Sequence, residues 1–355
     1  MTIPQPPMPS PVLSASFGRL DAPRPQLSIV LPAYNESEGI SMVVRELLWP
    51  TLQKIFPSVS GLFEPSAAFE VLIVDDGSKD ETFVRVQALA AEIPWVRGLR
   101  FSRNFGKEAA IYAGLEAARG EAVLVMDSDG QHPPEVIEQM WAIWKTGQFD
   151  IISGVKQDRS VDSLLGRTAS GLFYGVMRRL TKIDLHGHSD FKLIRDTVVR
   201  QYLEQPERMR FFRALVPWLG FRQANVPFVV AERVAGTSRW SMLGLARLAL
   251  TAITSFTGAP LYWSAYLGAF GLFASFLLTL QALYSWLTGI AVPGWTSLTF
   301  LLLFFGSTIL LSLGLIGVYL HQIFEEVKRR KPFIVAETTP ALSSSPPPPP
   351  SPNAP

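Results

Sequence analysis

Asp127, Asp129 and Gln131 follow four apolar residues, Val123-Leu124-Val125-Met126, and precede Pro133-Pro134. Residues two apart on an extended backbone share a face, so these three side chains can aim oxygens at one point. Two carboxylates and an amide form a hard donor set, suited to Mg2+ or Mn2+ holding a diphosphate. An isolated Asp-x-Asp is more often a polar strand end closed by an Asx-turn. The choice therefore rests on the elements around it.

Those elements alternate. Leu27 to Leu31 reads as a short strand stopped by Pro32, after which Asn35 and Glu38 have capping-box spacing for a helix. Val71 to Val74 reads as a second strand ending in Asp75-Asp76-Gly77, with Ser78 and Glu81 repeating the capping-box spacing. Val96 to Phe101 is a third strand, leading through Ser102-Arg103-Asn104-Phe105-Gly106 to a helix around Glu108 to Ala118. The strand before Asp127 is the fourth, and Pro133-Pro134 opens the next helix. Continuous apolar strands separated by helices predict a parallel sheet covered on both faces. Ligands of such sheets bind beyond the carboxyl ends of the strands. Here those ends carry Tyr34-Asn35-Glu36, Asp75-Asp76, Arg103-Asn104 and Asp127-Ser128-Asp129, four polar clusters that a scaffold alone does not explain. No G-x-G-x-x-G follows the first strand, and Phe101 stands where a P-loop before Gly106-Lys107 needs glycine. Acidic strand ends fit a nucleotide held through base and ribose, with a metal neutralising its phosphates.

The 355 residues are 48% hydrophobic and 17% charged, with a net charge of +2. That balance lacks the basic face of a nucleic-acid binder, and the absence of cysteine excludes disulfides and thiolate chemistry. No Asp, Glu, Lys or Arg occurs between Leu248 and Leu320, room for two spans of about 20 residues each. Ser241 to Thr257 carries a polar or small stripe at Gly244, Arg247, Thr251 and Thr254 and reads as an interfacial amphipathic helix. The expected spans are Leu261 to Trp286, with aromatic residues at both ends, and Trp295 to Tyr319, separated by a turn at Gly289 to Gly294. Arg239 and Arg247 before them and Lys328-Arg329-Arg330-Lys331 after them place both ends in the cytoplasm. The first 25 residues have no signal-peptide pattern, and Ser343 to Pro355 is a Pro-rich tail expected to be disordered.

Val30-Leu31-Pro32-Ala33-Tyr34-Asn35-Glu36, Val74-Asp75-Asp76-Gly77-Ser78, Ser102-Arg103-Asn104-Phe105-Gly106-Lys107 and Asp127-Ser128-Asp129-Gly130-Gln131 together resemble family 2 glycosyltransferases. More narrowly, the chain resembles the polyprenyl-phosphate type, which includes dolichol-phosphate mannosyltransferases and undecaprenyl-phosphate (bactoprenol) glucosyltransferases. The likeness continues through Asp190-Phe191-Lys192-Leu193, Arg213 to Phe221 and Gly236-Thr237-Ser238-Arg239-Trp240, covering about residues 26 to 335.

The resemblance implies a GT-A-like, mostly parallel α/β domain followed by the interfacial helix and two transmembrane helices. The expected divisions are an N-terminal tail (1–25), the glycosyltransferase domain (26–240), the interfacial helix (241–258), the two spans (259–322), and a basic juxtamembrane segment with the C-terminal tail (323–355). The implied reaction is inverting transfer of a hexose from a UDP- or GDP-sugar to polyprenyl phosphate, with Mg2+ or Mn2+. Pro32, Tyr34 and Glu36 would border base and ribose, Asp76 with Asp75 beside it would bind the base, and Asp127, Asp129 and Gln131 would hold the metal. Asp190 would face the acceptor. Among Arg208, Arg210, Arg213 and Arg239, two are expected to hold the acceptor phosphate, since guanidinium binds phosphate bidentately. Lys156 to Ser170 would be a loop over the site. One departure is that the family often has Leu-Gln-Asp-Pro-Pro where this chain has Gly130-Gln131-His132-Pro133-Pro134; His132 either opens the helix or meets a phosphate. His186 and His188 read as part of a polar loop.

These features imply a multi-pass protein of the plasma (inner) membrane, with the catalytic domain and both termini cytoplasmic. Relatives imply self-association through the membrane helices. The competing readings are a processive polysaccharide synthase, which usually carries a Gln-x-x-Arg-Trp motif absent here, and a catalytically silent scaffold, which predicts loss of the metal carboxylates.

Overall fold

The computed structural model describes residues 24–59, 61–62, 68–156, 188–207, 210–229, parts of 266–288, 294–328 and 330–339. The strands are β1 (Leu27–Ala33), β2 (Phe69–Asp75), β3 (Val96–Phe101), β4 (Ala122–Val125), β5 (Ile151–Lys156), β6 (His188–Arg195), β7 (Gln223–Phe228) and β8 (Val335–Thr338). They form one sheet of eight in the order β7-β5-β6-β4-β1-β2-β3-β8. The central pairs β4–β1, β1–β2 and β2–β3 are parallel, as is β5–β7. β6 runs antiparallel to β4 and β5, and β8 runs antiparallel to β3.

The helices are α1 (Ile40–Met42), α2 (Trp49–Ile55), α3 (Thr82–Glu92), α4 (Lys107–Ala117), α5 (Pro134–Lys145), α6 (Asp196–Glu204), α7 (Phe212–Trp218) and α8 (Trp295–Val327), with a π-helical turn, Val43–Leu48, joining the first two. Alternation along the strands divides the core between two faces. Ile29, Leu31, Val71 and Ile73 pack with residues of α2, α3 and α5, whereas Val30, Leu72 and Val74 pack with residues of α4, α6 and α7. Each face is covered, so the strands are apolar throughout rather than alternating.

Several local expectations change. β1 runs two residues past Leu31, through Pro32. Its ladder to β4 ends at Val30 and Val125, and the Pro32 carbonyl on that side accepts from Ser128 Oγ at 3.0 Å. The missing proline N–H therefore costs no ladder bond. Asn35 caps no helix. It takes a left-handed conformation (φ 55°), its N–H donates to Ser78 Oγ at 2.9 Å, and its Oδ1 accepts from the Lys79 N–H at 3.0 Å. The first helical residue is Ile40, after Gly39, with no side-chain cap. Ser78 is likewise engaged elsewhere, its N–H donating to Asp75 Oδ1 at 3.0 Å. Asp80 instead accepts the Thr82 N–H at 3.0 Å where α3 begins.

The largest difference lies after the long apolar helix α8. α8 extends beyond the expected end at Tyr319 to Val327, and residues 335–338, expected in the juxtamembrane stretch, join the sheet as β8. Arg100 pairs with Glu337 at 3.0 Å, Phe333 stacks on Phe101 with ring centroids 4.9 Å apart, and the Gly98 N–H donates to Thr339 Oγ1 at 3.0 Å. An unpaired edge and a buried aromatic surface on β3 explain the docking. Among the described residues one helix is long and apolar enough to cross a membrane, over Phe304–His321. The described residues between Tyr266 and Leu287 are helical. The interfacial helix, the start of the first span, both tails, Arg208, Arg239, His186 and the loop after Lys156 lie outside the described residues.

Candidate active site

The carboxyl ends of β1, β2 and β4 open onto a cleft of about 290 Å³, completed by the loop after β3 and the start of α4. It is lined by Pro32, Ala33, Tyr34 and Glu36, by Asp76, by Asn104, Gly106, Lys107 and Ala110, and by Asp127, Ser128 and Asp129. Six of the residues expected from sequence therefore meet here: Pro32, Tyr34, Glu36, Asp76, Asp127 and Asp129. Asp75 and Gln131 do not line the cleft. Asp75 is fully buried, accepting from Ser78 and pairing with Arg100 at 3.4 Å, and it braces the turn beneath the cleft.

Asp76 builds the adjoining wall. Its two oxygens accept the Phe105 N–H at 2.6 Å and the Gly106 N–H at 2.9 Å. Burial raises its pKa, opposed by those two amides. Gly77 makes the wall feasible: its φ is +66°, and a Cβ there would lie 2.4 Å from the Arg103 carbonyl carbon. Only glycine accepts both conditions.

Asp127 and Asp129 follow β4. Asp129 Oδ1 accepts the Gln131 N–H at 3.1 Å, so the Asx-turn is present, and Asp127 and Asp129 still line the cleft. The donor set is tested by its chemistry. Both groups are hard oxygen donors in the cleft, and an ammonium already rests on Asp127 Oδ1 at 2.5 Å, so this corner is built for positive charge. Among the described residues no three His, Asp or Glu side chains gather to hold an ion. Two hard carboxylates in the cleft fit Mg2+ or Mn2+ held by one or two protein oxygens together with substrate phosphates and water.

The ammonium belongs to Lys107, which sequence reasoning passed over as part of a motif. Its Nζ bridges Asp127 and, at 2.8 Å, Asp190. Desolvation within the cleft disfavours its charge, but Asp190 and then Asp127 outweigh that and raise its pKa. Asp190, on β6, is 6% exposed and also accepts from Arg213 Nε at 3.3 Å and Nη2 at 3.2 Å. Burial would raise the Asp190 pKa; Lys107 and Arg213 overcome it and hold the carboxyl well below the usual range. Arg213 lies on α7, whose first N–H, from Phe212, donates to Glu108 Oε2 at 2.9 Å. Burial, then the Asp190 charge, pushes Glu108 up to about 8.

The remaining candidates lie elsewhere. Arg210 stacks on Tyr112 at 3.9 Å and donates to the Gln205 carbonyl at 2.9 Å. His132 is buried, 4.2 Å from the Phe191 ring, and burial lowers its pKa, so it packs as a neutral side chain. Lys192 is buried on β6, donates to Ser153 Oγ at 3.0 Å, and is lowered by burial to about 7. The Glu70, Arg97, Arg119 and Ser28 cluster sits at the opposite, amino ends of the strands and staples the sheet there.

The sequence profile described as glycosyl transferase family 2 matches residues 28–203. The chain is 36% identical over 318 residues to the SfII prophage-derived bactoprenol glucosyl transferase of Shigella flexneri, covering 88% of this chain and 98% of that protein. It is 35% identical over 313 residues to the putative glycosyltransferase CsbB of Bacillus subtilis (strain 168), covering 88% and 91%. Among solved structures, glucosyl-3-phosphoglycerate synthase from Mycobacterium tuberculosis in complex with UDP aligns with a TM-score of 0.44 at 20% identity, over 72% and 85% of the two chains. Identity at this level, sustained across nearly the whole length of the first two relatives, means that the chain belongs to glycosyl transferase family 2 and is a glycosyltransferase with a GT-A-like α/β fold.

Proposed function

We propose that the protein is a membrane-bound, inverting glycosyltransferase that moves a hexose from a UDP- or GDP-sugar to a polyprenyl phosphate. The observation that carries this reading is the 36% identity to a bactoprenol glucosyl transferase along 98% of that protein. In this reading Pro32, Tyr34 and Glu36 border base and ribose, Asp76 reads the base with Asp75 behind it, and Asp127 and Asp129, without Gln131, which lies outside the cleft, hold Mg2+ or Mn2+. The metal would supply positive charge to the departing diphosphate. Arg213, together with Arg208 or Arg239, holds the acceptor phosphate.

A phosphate monoester has a second pKa of about 6 and is largely dianionic at neutral pH. Its oxygen can attack the anomeric carbon as the bond to the nucleotide diphosphate breaks, with no proton to remove. Asp190 fits such a reaction: an acid held ionised between Lys107 and Arg213 is a poor proton acceptor and a good anchor for cations. Its role is to fix Arg213 and Lys107 around the two anionic reactants.

Topology supports a membrane setting. α8 has 33 residues, about 50 Å at 1.5 Å per residue, against a hydrocarbon core of about 30 Å. Leu302, Leu310, Leu311 and Leu313 on it are exposed, a surface that suits lipid and not water. β8 pairs with β3 of the same sheet, so the chain between β7 and β8 crosses the bilayer an even number of times if it crosses at all. Residues 261–286 are the natural partner span, with 241–258 lying in the interface before them.

The test is transfer of radiolabelled sugar from a panel of UDP- and GDP-hexoses to a short-chain polyprenyl phosphate by purified protein. The expected product is one labelled lipid-phosphate sugar. Growing polymer, or no labelled lipid with any donor, refutes the reading.

A further inference from the structure

Lys107 is the first residue of α4, directly after Gly106, whose φ is +100°. A cation at a helix N-terminus opposes the helix dipole, so local partners must hold it there. It has two, Asp127 at 2.5 Å and Asp190 at 2.8 Å, and they are unlike. Asp190 has a second cation in Arg213 at 3.2 Å. For Asp127, Lys107 is the ion-pair partner that the described residues provide. Its side chain is 44% exposed and lines the cleft, so its flexible four-carbon stem has room to move.

A divalent ion on Asp127 and an ammonium 2.5 Å from the same oxygen repel one another. One of the two must yield when the metal arrives, and only Lys107 has another place to go. We infer that Lys107 is a resident counter-cation of the cleft. It covers Asp127 in the absence of substrate, and it cedes that carboxylate to the divalent ion when the nucleotide diphosphate enters, turning to Asp190 and the incoming phosphates. The exchange keeps Asp127 and Asp190 from facing each other uncompensated before substrate binds. It also makes metal binding weak alone and strong with nucleotide, because the same charge competes with the ion in one state and neutralises the shared diphosphate in the other. Ligand and metal affinities are then coupled, and the coupling is reciprocal. This inference rests on the nucleotide-sugar reading above and deepens it.

The experiment follows free Mn2+ by electron paramagnetic resonance as full-length detergent-solubilised protein is titrated, alone and with saturating UDP or, separately, GDP. No sugar or acceptor is present, so the outcome does not depend on which lipid is glycosylated. Lys107→Met keeps the apolar stem and removes the charge. The expected result is a change of opposite sign in the two states: Mn2+ alone binds about tenfold tighter than to wild type, and Mn2+ with nucleotide about tenfold weaker, within the usual span of coupling. Lys107→Gln, whose amide can still donate to both carboxylates, gives the same signs and covers a methionine variant that does not fold. Lys107→Arg keeps the wild-type order. Weaker or unchanged binding of Mn2+ alone in both neutral variants would mean that Lys107 only supports the carboxylates, and overturns the inference. A wild type that binds neither Mn2+ nor either nucleotide overturns the nucleotide-sugar reading and this inference with it.

Discussion

Replacing Asp190 with asparagine separates an anchor from a base. The carboxylate makes three charge-assisted contacts, to Lys107 at 2.8 Å and to Arg213 at 3.3 and 3.2 Å. Such bonds contribute about 1.5–3 kcal/mol each, and an amide NH2 in place of Oδ2 can no longer accept from Lys107 and Arg213 Nη2. Asparagine keeps an oxygen in place but loses the charge. With the half-exposed Lys107 taken at the low end of the range, the loss of positioning is about 3 kcal/mol, or about a hundredfold in kcat. Removing a general base costs roughly 10²–10⁴, so the size of the effect does not discriminate. The shape of the pH profile does. With phosphate as the nucleophile, log kcat of both wild type and Asp190→Asn is flat above pH 7, measured with a soluble short-chain acceptor under saturating donor. A new pH-dependent limb above pH 7 in the mutant, or a trapped sugar–enzyme adduct, refutes the reasoning. Stability gives a second reading. The folded Asp190 pKa lies below its unfolded value of about 3.9, so its stabilisation is complete above that pH and fades as pH falls through the folded value. The gap in Tm between wild type and mutant should therefore be full at pH 7 and close in acid.

Three further outcomes are expected. Asp129→Asn, at a strand end and outside the core, should leave the circular dichroism spectrum and Tm nearly unchanged while abolishing most sugar transfer; full activity of this variant in chelator would remove the metal assignment. Gly77→Ala forces a side chain into a left-handed position and against the Arg103 backbone, which should lower stability by about 3 kcal/mol from backbone strain and overpacking combined, measured by denaturant unfolding. Charged residues at Leu245 and Leu248 should reduce transfer to a long membrane-embedded acceptor more than to a short soluble analogue, if that stretch lies in the interface; equal losses would contradict the assignment.

Strand positions were legible because a strand buried on both faces must be apolar at every residue. Val71 to Val74 could be little else, and polar residues stand out where such a run ends. The carboxylates of the cleft were legible for the same reason. Capping residues were not, because spacing rules see only neighbours in sequence. Asn35 spends its side-chain oxygen on the Lys79 N–H, and Ser78 spends its hydroxyl on the Asn35 N–H 43 residues away, which takes both out of the caps their spacing suggested. Lys107 was obscured in the same way, since one of its partners lies 83 residues away on β6. One local clue was available: a lysine opening a helix runs against the dipole. β8 carried no readable signal, because Val335 to Thr338 is too short to stand out and its pairing is specified by β3.

That last strand bears on the order of folding. The bond between Gly98 and Thr339 joins residues 241 apart. At a synthesis rate of about 5–20 residues per second, the β3 edge therefore waits roughly 12–50 s for its partner. An open edge is a template for mispairing, and Arg100, whose Glu337 partner arrives with β8, lends it charge during that interval. The partner arrives only after the apolar helices have left the ribosome. On the proposed membrane topology, a chain whose spans insert incompletely would leave residues 335–338 on the far side of the bilayer and never close the sheet. Completion of the catalytic domain would then report on insertion, and a misinserted chain would remain marked by an unsealed β edge open to chaperones and proteases.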